Sequence, residues 1–129
     1  MSCDGMIILK IQKFSDLEMP ALIAGTKTIR LNKAAAAVLK ESCNIDMKVS
    51  FENRKMIMAP SDNEGISEAS LRLKENKPNG TVVFVAGRRG FLRELYESLD
   101  WNKQLRYYVT GREKNGSIIF ELSGAAIVA

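Results

Sequence analysis

The sequence predicts an α+β protein: two strand-strand-helix-strand-strand units related as a pseudo-two-fold pair, mainly antiparallel sheet with two short helices. Three observations lead there. Most apolar segments alternate with a period of two, as strands with one covered face do. Two stretches, after Asn32 and after Gly90, instead place apolar residues at helical spacing. The order of elements then recurs, once over residues 6–60 and again over residues 66–129, within a single compact domain spanning 1–129.

In the first unit, Ile7, Leu9 and Ile11 alternate with Ile8, Lys10 and Gln12, predicting a strand from Met6 to Phe14 that ends before Pro20. A second strand is expected from Leu22 to Leu31, with a bulge at Gly25 and with Ile29 and Leu31 facing inward. Asn32 is a good N-cap, because its side-chain oxygen can accept from the free N–H groups of a first helical turn. The alanine run that follows has high helix propensity, and Ala35, Val38, Leu39 and Ser42 form its narrow face. Met47, Val49 and Phe51 alternate with Lys48 and Ser50, and Lys55 to Ala59 returns as a hairpin partner. Residues 61–65 are polar and read as the connector.

In the second unit, Ala69, Leu71 and Leu73 alternate with polar residues, and a turn through Pro78-Asn79-Gly80 enters the apolar run Thr81 to Ala86. That run predicts a strand covered on both faces. Leu92, Leu95, Tyr96 and Leu99 share a helical face, and Trp101 is expected to plug the core beside it. Leu105, Tyr107 and Val109 alternate into the Asn115-Gly116 pair favoured by tight hairpins, from which Ile118, Phe120 and Leu122 return. Residues 123–129 form an apolar tail expected to add an edge strand.

With 46% hydrophobic and 26% charged residues, the composition is that of a globular protein and excludes a disordered tail. No histidine occurs, which removes the commonest general base and metal ligand. Cys3 and Cys43 lack the paired spacing of a zinc site, and no Walker loop or nucleophile triad can be assembled. Glu94 and Glu97 read as a solvated helix face. The chain is therefore expected to be no enzyme and to need neither cofactor nor metal. It shows no secretory signal and no apolar run long enough to span a bilayer, so a soluble, cytoplasmic protein without membrane contact is expected.

The formal charge of +4 mildly favours polyanions. The sharpest local feature is Gly87-Arg88-Arg89-Gly90, between an apolar strand and a helix start, where free N–H groups and two guanidinium forks can meet phosphate. Arg30 and Lys33 hold the equivalent place around Asn32. Arg106, Tyr108 and Arg112 form a further candidate patch on one strand face, suited to phosphate contact and base stacking.

Thr28 to Lys33, the helix through Leu39, and the pair Lys48–Phe51 with Lys55–Met58 resemble the AbrB/SpoVT/MazE group of swapped-hairpin DNA-binding domains. That resemblance implies a tandem pseudo-dimer. The chain departs from the group's pattern at Asn32, Ala36 and Asp46-Met47, where proline, arginine and Gly-Asp are usual. The repeated element order also resembles the Whirly and positive-cofactor-four type of single-stranded DNA binder. Both imply a non-enzymatic, transcription-regulator-like protein that binds nucleic acid, DNA in preference to RNA. The competing expectation is an assembly module, a homo-oligomer included, that pairs through exposed hairpins such as the one carrying Met47, Met56 and Met58.

Overall fold

The computed structural model describes residues 14, 17–61, 70–88 and 90–128. The strand expected at Met6–Phe14 and the connector at 62–65 lie outside the described residues, except for Phe14 itself.

The elements, in chain order, are β1 (Ala21–Ala24), β2 (Ile29–Leu31), α1 (Lys33–Val38), β3 (Asn44–Ser50), β4 (Lys55–Pro60), β5 (Ser70–Asn76), β6 (Val82–Ala86), α2 (Phe91–Ser98), β7 (Arg106–Lys114), β8 (Ser117–Glu121) and β9 (Ala126–Val128). All pairings are antiparallel, and the neighbours run β1-β2-β6-β5-β3-β4-β8-β7, with β7 returning to β1. The sheet is thus a closed eight-stranded barrel. A 3-10 turn at Leu122–Gly124 bends the chain after β8, and β9 continues along the same edge of β7.

Closure corrects the α+β expectation. Strands with one apolar face must cover it, and the helices of 6 and 8 residues found among the described residues are too small to roof a sheet of nine strands. Curling the sheet on itself solves this, because eight strands enclose a space that side chains just fill. The interior holds Leu22, Ile29, Leu31, Ile45, Met47, Met56, Met58, Leu71, Phe84, Val109, Ile118 and Phe120, each 2% exposed or less. The three methionines are therefore core residues and leave no Met-rich docking surface. The same closure corrects the resemblances to the AbrB/SpoVT/MazE group and to the Whirly and positive-cofactor-four type: the strands form one mostly-β barrel, neither an exchange of hairpins nor an open curved sheet.

The strand expected over Leu22–Leu31 is two strands folded back on each other. Leu22 lies opposite Leu31, and the Gly25 N–H donates to the Thr28 carbonyl at 2.9 Å. The inward parity switches between the arms, from Leu22 and Ala24 to Ile29 and Leu31, but Ile23, apolar and buried in a separate outer cluster, hides that switch in the sequence. Phe51, expected to face inward, sits in the β3–β4 turn and is 45% exposed.

One helix closes each end of the barrel. Helix α1 leaves β2 and α2 leaves β6, and since β2 and β6 run antiparallel, with Ile29 opposite Phe84, these departures are at opposite ends. Ala35 of α1 with Leu39 just after it, and Leu92, Leu95 and Tyr96 of α2 with Leu99 just after it, join the barrel core. Asn32 is fully buried at the start of α1. Its side-chain oxygen accepts from the Ala35 N–H at 2.9 Å and the Ala21 N–H at 3.1 Å, and its amide donates to the Met19 carbonyl at 2.9 Å. At the other end Trp101 stacks on Tyr107 with centroids 4.4 Å apart, and both rings meet Tyr96 edge-on. Outside the barrel wall, Phe14, Ala21, Ile23 and Val128 form a second small apolar cluster.

Candidate anion-binding site

At the α2 end, three elements bring cations to one open cleft of about 340 Å³: Lys27 from the β1–β2 turn, Arg72 from β5 and Arg88 from the loop after β6. Each is placed by backbone. The β1–β2 turn is closed by the Gly25–Thr28 hydrogen bond. Arg72 lies opposite Val85 and Asn44, on the outward side of β5, because its neighbour Leu71 is in the core. The loop is tied to β5 by the Gly87 N–H, which donates to the Ser70 carbonyl at 2.7 Å.

Gly90 ends the loop with φ +84, a left-handed conformation natural to glycine, and no side chain caps α2 there. The guanidinium of Arg88 donates to the Glu94 carboxylate one turn into α2, and its carbon lies 5.5 Å from the Phe91 ring centroid. That hydrogen bond holds the Glu94 carboxyl below its usual range against an opposing desolvation, with a lesser contribution from the Arg88 charge. Among the described residues, Lys27 and Arg72 make no ion pair. Among the described residues, no acidic one lines the cleft.

The expected site residues do not converge. Lys33 is exposed at the first position of α1, with its stem beside Gly80, so it and Arg88 lie at opposite ends of the β2–β6 pair, roughly 26 Å apart along the strands. Lys33 lines its own cleft with Lys77, but Glu41 shares that lining and Glu75 pairs with Lys77 at 3.4 Å, so its cations are offset. Arg30 is half-buried midway along the outer wall, between Ile23 and Val83. Arg106 begins β7, opposite Val128 and one step beyond the Ala24–Tyr107 pair, which puts it at the α2 end. Tyr108 spends its ring on an edge-on contact with Phe14, centroids 6.2 Å apart, and burial pushes its hydroxyl pKa up. Arg112 is exposed opposite Ile119, toward the far end of β7. Arg89 lies outside the described residues.

Lys27 and Arg72 are the residues that sequence reasoning missed. Reading Gly25-Thr26-Lys27-Thr28 as a turn between two apolar runs would have exposed Lys27. Nothing local marks Arg72, whose place in the cleft depends on the long-range pairing of β5 with β6.

The fold and site therefore define a mostly-β closed barrel, capped by a helix at each end, with a basic cleft in which Lys27 and Arg72 have no acidic partner among the described residues. No family model, curated protein or solved structure matches the chain. The nucleic-acid-binding expectation accordingly rests on the residues alone. Among the described residues, no helix is long and apolar enough to cross a membrane.

Proposed function

We propose that this is a cytoplasmic, non-enzymatic protein that binds nucleic acid through its phosphates at the α2 end of the barrel. One observation carries the reading: Lys27, Arg72 and Arg88 share one cleft, and the first two have no acidic partner among the described residues. Arg106 extends the same end. The cleft offers charge without an aromatic platform, which suits contact with the backbone and gives no reading of base edges.

With about three or four phosphates engaged, binding to a single strand should weaken with salt at a logarithmic slope of about −2 to −3. Fluorescence anisotropy with short single- and double-stranded DNA and RNA at several salt concentrations tests this. The Lys27→Gln/Arg72→Gln variant should flatten the slope by roughly 1.5 for a single strand. No retention of any of the four nucleic acids at low salt overturns the reading.

A second reading, self-assembly, is favoured by the row Lys48, Ile57, Ile119 and Arg112 across the outer face of β3, β4, β8 and β7, with Ile57 41% exposed. Sedimentation over a range of concentrations tests it: a mass that rises and then falls on Ile57→Glu supports pairing of two copies, and a constant monomer excludes it.

A further inference from the structure

We propose that the Lys27–Arg72–Arg88 cleft receives the terminal phosphomonoester of a nucleic-acid strand, in preference to an internal phosphodiester. The proposal rests on the nucleic-acid reading above and narrows it to strand ends.

Charge is what points to an end. The cleft is bounded by the Thr26-Lys27 turn, by Arg72 on β5 and by the Gly87-Arg88 loop, with Leu92 of α2 and Ala86 completing its lining. With Arg88 paired to Glu94, Lys27 and Arg72 still bring two positive charges without an acidic partner among the described residues, more than a diester, with its single negative charge, can balance. A terminal phosphate carries about −1.5 to −2 at neutral pH and three strong acceptor oxygens. The glycine positions leave room for it: a side chain at Gly90 would meet nothing within 4 Å. Arg88 is braced by Glu94 and Phe91, so its fork is already oriented when the anion arrives. Among the described residues the lining holds no aromatic ring, so the terminal base is left outside and any sequence is accepted. Arg106 adds a cation at the same end of the barrel.

The experiment compares one labelled oligonucleotide bearing a phosphate at its 5′ end, at its 3′ end or at neither. Binding should be about tenfold tighter with a phosphate at one or both of those ends. The preference should shrink as pH falls below about 6, where the monoester takes up its second proton. Arg72→Gln and Lys27→Gln should each reduce it, and Arg72→Lys should restore part of it. Their positions, an outward strand site and an exposed turn, leave the melting temperature as the check that folding is unchanged. Equal affinity for all three oligonucleotides, lost together in the variants, overturns end recognition and leaves backbone binding standing. Failure to bind any of them overturns both. Competition by equimolar inorganic phosphate or a phosphoserine peptide as strong as by the phosphorylated oligonucleotide overturns the nucleic-acid end and leaves a general phosphomonoester site.

Discussion

The hydroxyl of Tyr96 lies 2.7 Å from the carbonyl of Ala24, a residue 72 positions away in the chain. It also lies 2.8 Å from the Leu105 carbonyl, so one proton serves two acceptors and ties α2 to both β1 and the approach to β7. Tyr96→Phe keeps the buried ring and removes that donor. It should lower stability by about 1–2 kcal/mol in urea unfolding.

The same tyrosine makes stability fall at high pH. Burial, first, and the neighbouring Tyr107 hydroxyl, second, push its pKa from 10.0 up to about 12, against a smaller opposing pull from Arg106. The folded state therefore holds the proton more tightly than the unfolded chain. Its contribution is fully present below pH 10 and is lost as pH rises toward 12. Melting temperatures taken across that window should fall less steeply for Tyr96→Phe than for the parent. Parallel curves would show that Tyr96 does not titrate with unfolding.

Asn32 joins β1 to α1 through hydrogen bonds to Ala21, Ala35 and Met19. Asn32→Ala strands those buried backbone groups and should cost about 2–3 kcal/mol. Asn32→Asp keeps the accepting oxygen but loses the donation to Met19, and its unfolding midpoint should fall between the two.

Gly111 is on the inner side of β7. A Cβ there would lie 2.7 Å from Ile118 Cγ2 and 2.9 Å from the Ile119 carbonyl oxygen, so Gly111→Ala should destabilise by about 1–3 kcal/mol through overpacking. At Gly116 the space is open and only the left-handed φ of +82 resists substitution. There the cost of alanine should be about 1 kcal/mol, read from the same thermal melts.

Glu94→Gln removes the carboxylate that holds Arg88. Nucleic-acid binding in anisotropy should tighten by about two- to threefold at low salt, with the gain fading as salt screens the charge. A loss of affinity would show that Glu94 acts chiefly by orienting Arg88.

Periodicity made most strands and both helices legible, because a residue's parity or helical phase depends only on its neighbours. Met47, Met56 and Met58 alternate and are buried; Lys48, Lys55 and Ile57 face out. Closure was not legible. Whether β7 meets β1 depends on contacts across the whole chain, and nothing near Val109 or Leu22 specifies that they become partners. The site divided on the same line. Arg88 stands out within its glycine-flanked loop, whereas Arg72 enters the cleft only once β5 and β6 have paired.

The alternation of strands around the barrel has a consequence for how the chain can be cut. Exchanging β1–β4 for β5–β8 leaves the set of pairings unchanged, and β1, β2, β3 and β4 each have one neighbour from the other half. A fragment ending after β4 would hold two separate hairpins with no ladder between them, and each isolated hairpin is marginal in water. Neither half is then a folding unit. Expressed as two pieces divided between β4 and β5, the chain should remain unstructured until the pieces meet and assemble as a heterodimer, which would make this barrel a natural split reporter.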